Sequence, residues 1–325
     1  MMATQSLARS VLRAVPLSAE IYQGWWGRGK VPTGGYSLER LEGFLPSWVE
    51  AARRARAASV LDSRRRILMV GYLRWWVEFA CALGLTFAAM GHEVDLGFLP
   101  YRTWTDELPD FDVRRQRVYL RHALRPARGL LRPVDLLGGA RRDLAGPLET
   151  AASAQSLTDV QYTLQREDLD LAGAADQAAL YRLRQARNRA AASGMWEALS
   201  RRRYHAVVVP NGSILELGAV YRAARLHRTP AVTCEFGEQR ERIWAARDAE
   251  VMRHDTTDLW QARQDFPLTE DERGRLERLM HARRGGRKWS TFGRKWQAGA
   301  GEGASAAAQA LGMDRSRRVV LVCTN

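Results

Sequence analysis

A short apolar run, a helix and a second apolar run, repeated once later in the chain, constrain the fold more than any other feature. The run RILMVG at residues 66–71 carries no polar residue after Arg66 and ends in glycine, the pattern of a strand buried on both faces. Residues 75–90 follow as a helix and stop at Gly91, a residue suited to the left-handed turn that closes helices. EVDLG at 93–97 supplies a second strand. The same order returns as HAVVVP at 205–210, a helix over 214–226 and TPAVTCE at 229–235. Each strand–helix–strand unit makes a pair of parallel strands with a right-handed crossover. Two units predict an α/β fold with a doubly wound, mostly parallel sheet.

Around these units the signals are weaker. Residues 113–120 read as a further strand, 157–202 as mostly helical, and 268–284 as a charged helix. Residues 285–303 read as a loop containing GRKW twice, and 305–311 as a short helix ended by Gly312. The last apolar run, RVVLVC at 318–323, looks like the opening strand of another α/β lobe. The expected organisation is a helical and irregular extension over 1–62, a main domain over 63–304, and a linker with a first strand over 305–325. Leu7, Val11, Leu12 and Val15 recur at helical spacing in the extension, and Trp25 and Trp26 lie near several arginines. That stretch reads either as a cap packed on the main domain or as an interfacial helix.

Charge decides less than it first suggests. The net charge is +14, yet lysine occurs only at positions 30, 288 and 295, and the arginines are spread along the whole chain. Nucleic-acid binding is not expected, because no zinc-finger, RRM or helix-turn-helix pattern accompanies the charge. Anionic sugar nucleotides, phosphorylated lipid carriers or an inner membrane surface match it equally well. Cys81, Cys234 and Cys323 are far apart with no C-x-x-C pattern, which fits buried reduced thiols. The apolar stretch 79–90 is interrupted by Gly84 and Thr86 and is too short to span a bilayer. With no secretory h-region, a cytoplasmic location is expected, with peripheral contact at the inner membrane surface as an option.

Candidate functional residues gather at strand ends. Asn211, Gly212 and Ser213 follow a strand and precede a helix, where open α/β sheets bind ligands. Backbone N–H groups there suit an anionic or hydroxyl-rich ligand, and Gly212 permits close approach. Ser213 to Glu216 also reads as a capping box. Glu235, followed by Gly237 in the turn, ends the next strand at the same sheet edge. It suits a base that removes a proton from an acceptor hydroxyl, or an ion pair with Arg240 or Arg242. Tyr72 ends the first strand and offers a ring for stacking, although the G-x-G-x-x-G spacing of dinucleotide binding is absent. His92-Glu93 lacks the second histidine of a zincin helix, and Asp168-x-Asp170 is a short pattern common by chance; no metal site is expected.

Three segments together resemble a known family: residues 64–97 with MGHEVDL, HAVVVPNGSILELGAVYRAARLHRTPAVTCEFG, and LGMDRSRRVVLVCTN. The resemblance is to the N-terminal lobe of two-lobed GT-B glycosyltransferases, similar to bacterial capsule polysaccharide biosynthesis proteins. It implies a Rossmann-like sheet and sugar transfer from a nucleotide sugar to a glycan or lipid-linked acceptor. It also implies no bound cofactor or catalytic metal, with the nucleotide sugar as co-substrate. By the same resemblance Tyr72, Asn211, Gly212, Ser213 and Gly237 line the acceptor side, Glu235 is the base, and the final strand opens a donor lobe that this chain lacks. The chain alone is then expected to bind donor weakly or not at all and to be inactive by itself. A nucleotide-sugar epimerase half and a noncatalytic basic docking module remain alternatives.

Overall fold

Strand β1 (Arg66–Tyr72) is buried at every position after Arg66, as an apolar run without alternation requires. It lies inside a six-stranded sheet of order β3-β2-β1-β4-β5-β6. The partners are β2 (Glu93–Leu99), β3 (Leu131–Asp135), β4 (Ala206–Pro210), β5 (Ala231–Phe236) and β6 (Ile243–Arg247). The first five run parallel, with Ile67 opposite Val94 on one side and Ala206 on the other. The β6 strand returns antiparallel: the Gly237 amide donates to the Arg242 carbonyl and the Asp248 amide to the Ala231 carbonyl. The computed structural model describes residues 15–58, 63–101, 103, 105–138, 144, 146–237, 242–284, 304–314 and 316. The sheet and its helices thus form the expected α/β fold.

Two compact units divide the chain. Met1–Glu235 with Ala245–His254 forms the first, and Phe236–Trp244 with Asp255–Asn325 the second. In the first unit, α1 (Ser18–Trp25) and α2 (Glu39–Ala57) precede the sheet. Leu38, Leu41, Leu45, Val49 and Ala52 recur at helical spacing and join Ile67, Met69, Leu96 and Phe98 in one apolar cluster. The Tyr119 hydroxyl accepts a 2.9 Å hydrogen bond from the Leu38 amide and fixes where α2 begins. Leu68 and Val70 are as deeply buried on the opposite face of β1, so both faces of the strand are covered. Helix α3 (Leu73–Ala89) links β1 to β2 and closes at Gly91 with φ +100°.

Residues 113–120 form no strand; they lie inside helix α4 (Asp110–Ala123). Asp110 and Asp112 sit in its first turn and Arg121 and His122 in its last, the charge order that a helix dipole favours. The strand of this region is β3, further on. Helices α5 (Pro147–Leu164) and α6 (Ala175–Arg201) form the connection from β3 to β4, and α7 (Leu215–Leu226) joins β4 to β5. A Cβ at Gly194 would lie 1.5 Å from the Leu136 carbonyl oxygen, and one at Gly218 would lie 2.2 Å from Gln155. Bare backbone at these two positions lets α6 approach the segment after β3 and α7 approach α5.

The second unit holds α8 (Thr257–Arg263), α9 (Glu270–Arg284) and α10 (Ala304–Ala310), the last ended by Gly312 at φ +61°. Glu272 caps α9 by accepting from the Thr269 amide at 2.9 Å and pairs with Arg263 at 2.7 Å. Several expectations fall outside the described residues: the helical spacing of Leu7, Val11 and Leu12, the paired GRKW segments, Cys323, and the strand over 318–323. Among the described residues, no helix is long and apolar enough to cross a membrane. Cys81 and Cys234 are free and buried; burial, aided by Glu235, pushes the Cys234 thiol up to about 12.

Candidate functional site

Two chain reversals, one after β1 and one after β4, stand side by side because β1 and β4 are adjacent in the sheet. From β1 the chain goes on to β2 on one side, and from β4 to β5 on the other. That divergence is the topological switch point, where the carboxyl edge of an open α/β sheet leaves a crevice. Each reversal contains a leucine in the left-handed region, Leu73 at φ +59° and Leu215 at φ +56°. Bulky residues seldom adopt that conformation, and such strain collects at sites where geometry matters.

The β4 reversal is the more elaborate. Asn211 has φ +58° and Gly212 φ +82°, and the Gly212 amide donates to the Pro210 carbonyl at 2.6 Å, closing a γ-turn about Asn211. The Asn211 amide continues the ladder to β5 through the Cys234 carbonyl at 2.7 Å. The Asn211 side chain accepts from the Ser213 amide at 3.0 Å through Oδ1. Its Nδ2 donates to Glu235 Oε2 at 2.9 Å. One amide side chain therefore holds both the turn and the carboxylate at the end of the neighbouring strand. Gly212 is required twice, by its positive φ and because a Cβ there would lie 2.4 Å from Thr233 Cγ2.

The capping box expected over 213–216 does not form. Helix α7 begins at Leu215 without a side-chain cap, and Ser213 Oγ is buried with no hydrogen-bond partner among the described residues. Glu216 is used elsewhere. Its fully buried carboxylate pairs with Arg184 at 2.9 Å, and the equally buried Arg184 reaches Asp159 at 3.3 Å. Asp159 also accepts from Gln155 at 2.8 Å, Asn188 at 2.7 Å and the Leu215 amide at 2.6 Å. The orphan amide at the start of α7 is thus satisfied from α5 rather than from its own first turn.

Two guanidiniums face two carboxylates in this cluster. Burial alone would raise the Glu216 pKa, but Arg184 and then Arg187 outweigh it and hold the carboxyl below its ordinary value. At Asp159 burial prevails over Arg184 and its hydrogen bonds, and the pKa is raised. Arg187 donates to the Thr103 carbonyl at 2.6 Å and to the Asp106 carbonyl, and its guanidinium lies 4.4 Å from the Tyr101 ring centroid. Helix α6 thereby fixes the segment after β2 as well as the start of α7.

The structure unites Asn211, Ser213 and Glu235 through hydrogen bonds, with Gly212 inside their turn. Tyr72 is 1% exposed and joins the buried cluster instead: burial, then the Glu216 charge, raises its pKa. Gly237 belongs to the second unit, where a Cβ would lie 2.9 Å from Arg242 Cβ. Arg240 lies outside the described residues. Asp170 accepts from the Gly173 amide at 2.7 Å and closes the turn before α6. Among the described residues no group of three or more histidine, cysteine or acidic side chains is placed to hold a metal ion. The cluster of Asp159, Arg184 and Glu216 escaped the sequence reading; its one legible trace is Arg184, Arg187 and Asn188 recurring three and four residues apart on one helix face.

Compared with protein-family models, with curated proteins and with solved structures, the chain matches none of them.

Proposed function

We propose that this chain acts as the acceptor-side lobe of a GT-B type glycosyltransferase, passing a sugar from a nucleotide-activated donor to a hydroxyl of a glycan or lipid-linked acceptor. The observation that carries the reading is the Asn211–Glu235 hydrogen bond, which fixes a carboxylate at the carboxyl edge of the sheet beside the switch point. In this reading the acceptor hydroxyl sits against Glu235. The carboxylate takes the hydroxyl proton as the acceptor oxygen bonds to the anomeric carbon, and the bond from that carbon to the nucleoside diphosphate breaks. Asn211 is a positioning residue, because its one amide side chain holds both the turn, through the Ser213 amide, and the Glu235 carboxylate.

The test takes the longest product of the coding frame with a panel of nucleotide sugars and oligosaccharide acceptors, with released nucleoside diphosphate as the readout. Acceptor-dependent release that falls about a hundredfold or more in Glu235→Gln, with acceptor binding kept, supports the base. Release unchanged in that variant refutes it.

A further inference from the structure

Helix α1 is amphipathic in the reverse sense. It buries Ser18, Ala19 and Gln23 and exposes Leu17, Ile21, Tyr22, Trp25 and Trp26, with the two tryptophans 81% and 70% exposed. Residues 17, 21 and 25 recur every four positions, and 22 and 26 lie beside them, so the apolar side chains form one continuous stripe.

Polar anchors hold this orientation. Gln23 donates through Nε2 to the carbonyls of Gly27 at 2.6 Å and Lys30 at 2.7 Å, and accepts from Arg115 Nε at 3.2 Å. Arg114 pairs with Glu20 at 3.1 Å, and the Arg115 guanidinium lies 4.9 Å from the Tyr22 ring centroid. The contacts of Glu20 and Gln23, with Tyr22 at the edge against Arg115, tie α1 to α4 and leave Leu17, Ile21, Trp25 and Trp26 outward. A stripe of indoles and aliphatic side chains fixed outward marks an interaction surface.

We infer that this stripe docks on an anionic lipid bilayer, the tryptophans seated at the headgroup level. Charge complementarity selects this occupant over a second copy of the chain. Residues 1–30 carry four basic side chains against the single acid Glu20, which Arg114 already pairs. Arg28 and Lys30 are exposed just past the tryptophans. Self-association would bring together two chains of net charge +14, whereas an anionic surface neutralises that charge. Indoles favour the bilayer interface, and flanking cations add attraction to anionic headgroups. The inference stands apart from the proposed sugar transfer and needs none of its residues.

The test uses the full chain in co-sedimentation with vesicles of phosphatidylglycerol and phosphatidylcholine, and with phosphatidylcholine alone. Binding to the anionic vesicles is expected to fall at least tenfold in Trp25→Ala/Trp26→Ala, whose Tm stays that of the wild type because both indoles are exposed. Arg28→Gln/Lys30→Gln is expected to weaken binding severalfold and to flatten its salt dependence. Equal vesicle binding by the tryptophan variant overturns the inference. So does a concentration-dependent dimer that dissociates in that variant while vesicles are not bound.

Discussion

The reversals after β1 and after β4 begin alike and end differently. Both place a leucine in the left-handed region at the start of the next helix, yet the first passes from Tyr72 to Leu73 with no intervening residue. The second spends Asn211 to Ile214 on a γ-turn and an Asn-centred loop. Tyr72 turns into a buried ionic cluster, while Asn211 reaches the less buried Glu235. The comparison separates two uses of one sheet edge: the β1 side turns its tyrosine into a packed ionic cluster, and the β4 side holds a carboxylate at the end of the neighbouring strand.

The packed side depends on charge balance, and removing Arg184 is expected to have the largest effect. Arg184→Met leaves Asp159 and Glu216 buried without their shared cation, for a loss of about 3–5 kcal/mol in urea unfolding. Adding Asp159→Asn and Glu216→Gln should recover much of that loss, since the carboxylate charges go too. No recovery would mean that the cluster acts through packing rather than charge.

On the β4 side the strain is local. Gly212→Ala is expected to cost about 1–3 kcal/mol, from its positive φ and the contact with Thr233. In a Thr233→Ser background, which removes Cγ2 and keeps the hydroxyl bonded to the Ala249 carbonyl, part of that cost should disappear. An identical cost in both backgrounds would leave only backbone strain. Asn211→Ala is milder for stability, about 1 kcal/mol for the lost side-chain bonds, but should lower sugar transfer by removing its hydrogen bond to Glu235.

The smallest effect is in pH. Because Glu216 has a lowered pKa in the folded protein, its contribution is full above the unfolded value of 4.5 and is lost as pH falls through the folded value. Asp159, raised from 3.8, acts in the opposite sense: its contribution is present below that value and is lost as pH rises through its folded value. Glu216→Gln should therefore flatten the acid limb of stability below pH 4.5, measured as urea midpoints at successive pH values. An unchanged limb would show that other carboxylates govern it.

How much was legible in the sequence follows from how local each signal is. The strands β1, β2, β4 and β5 and the helices between them were readable because short runs rich in apolar residues ended at glycine, proline or a polar turn. Strand β3 was not, because LRPVD carries an arginine and a proline that suit an edge strand. The apolar residues Val118, Tyr119 and Leu120 stand together, which hid the helical period of α4. At the site, Asn211 and Glu235 were readable since each simply follows or ends a strand. The Asp159–Arg184–Glu216 cluster was not, because its members lie 25 and 32 residues apart on three helices and meet only through their packing. The unformed capping box has the same origin, for Glu216 finds a stronger partner in Arg184 than in its own helix end.

The most direct measurement is saturation-transfer NMR of a panel of glycan oligosaccharides with the wild-type chain and with Asn211→Ala. The account predicts an acceptor that binds the wild type and loses affinity in the variant, with displaced resonances at Asn211, Gly212, Ser213 and Glu235. Glycan binding of equal strength in both proteins, or none to either, would contradict an acceptor site at this edge of the sheet.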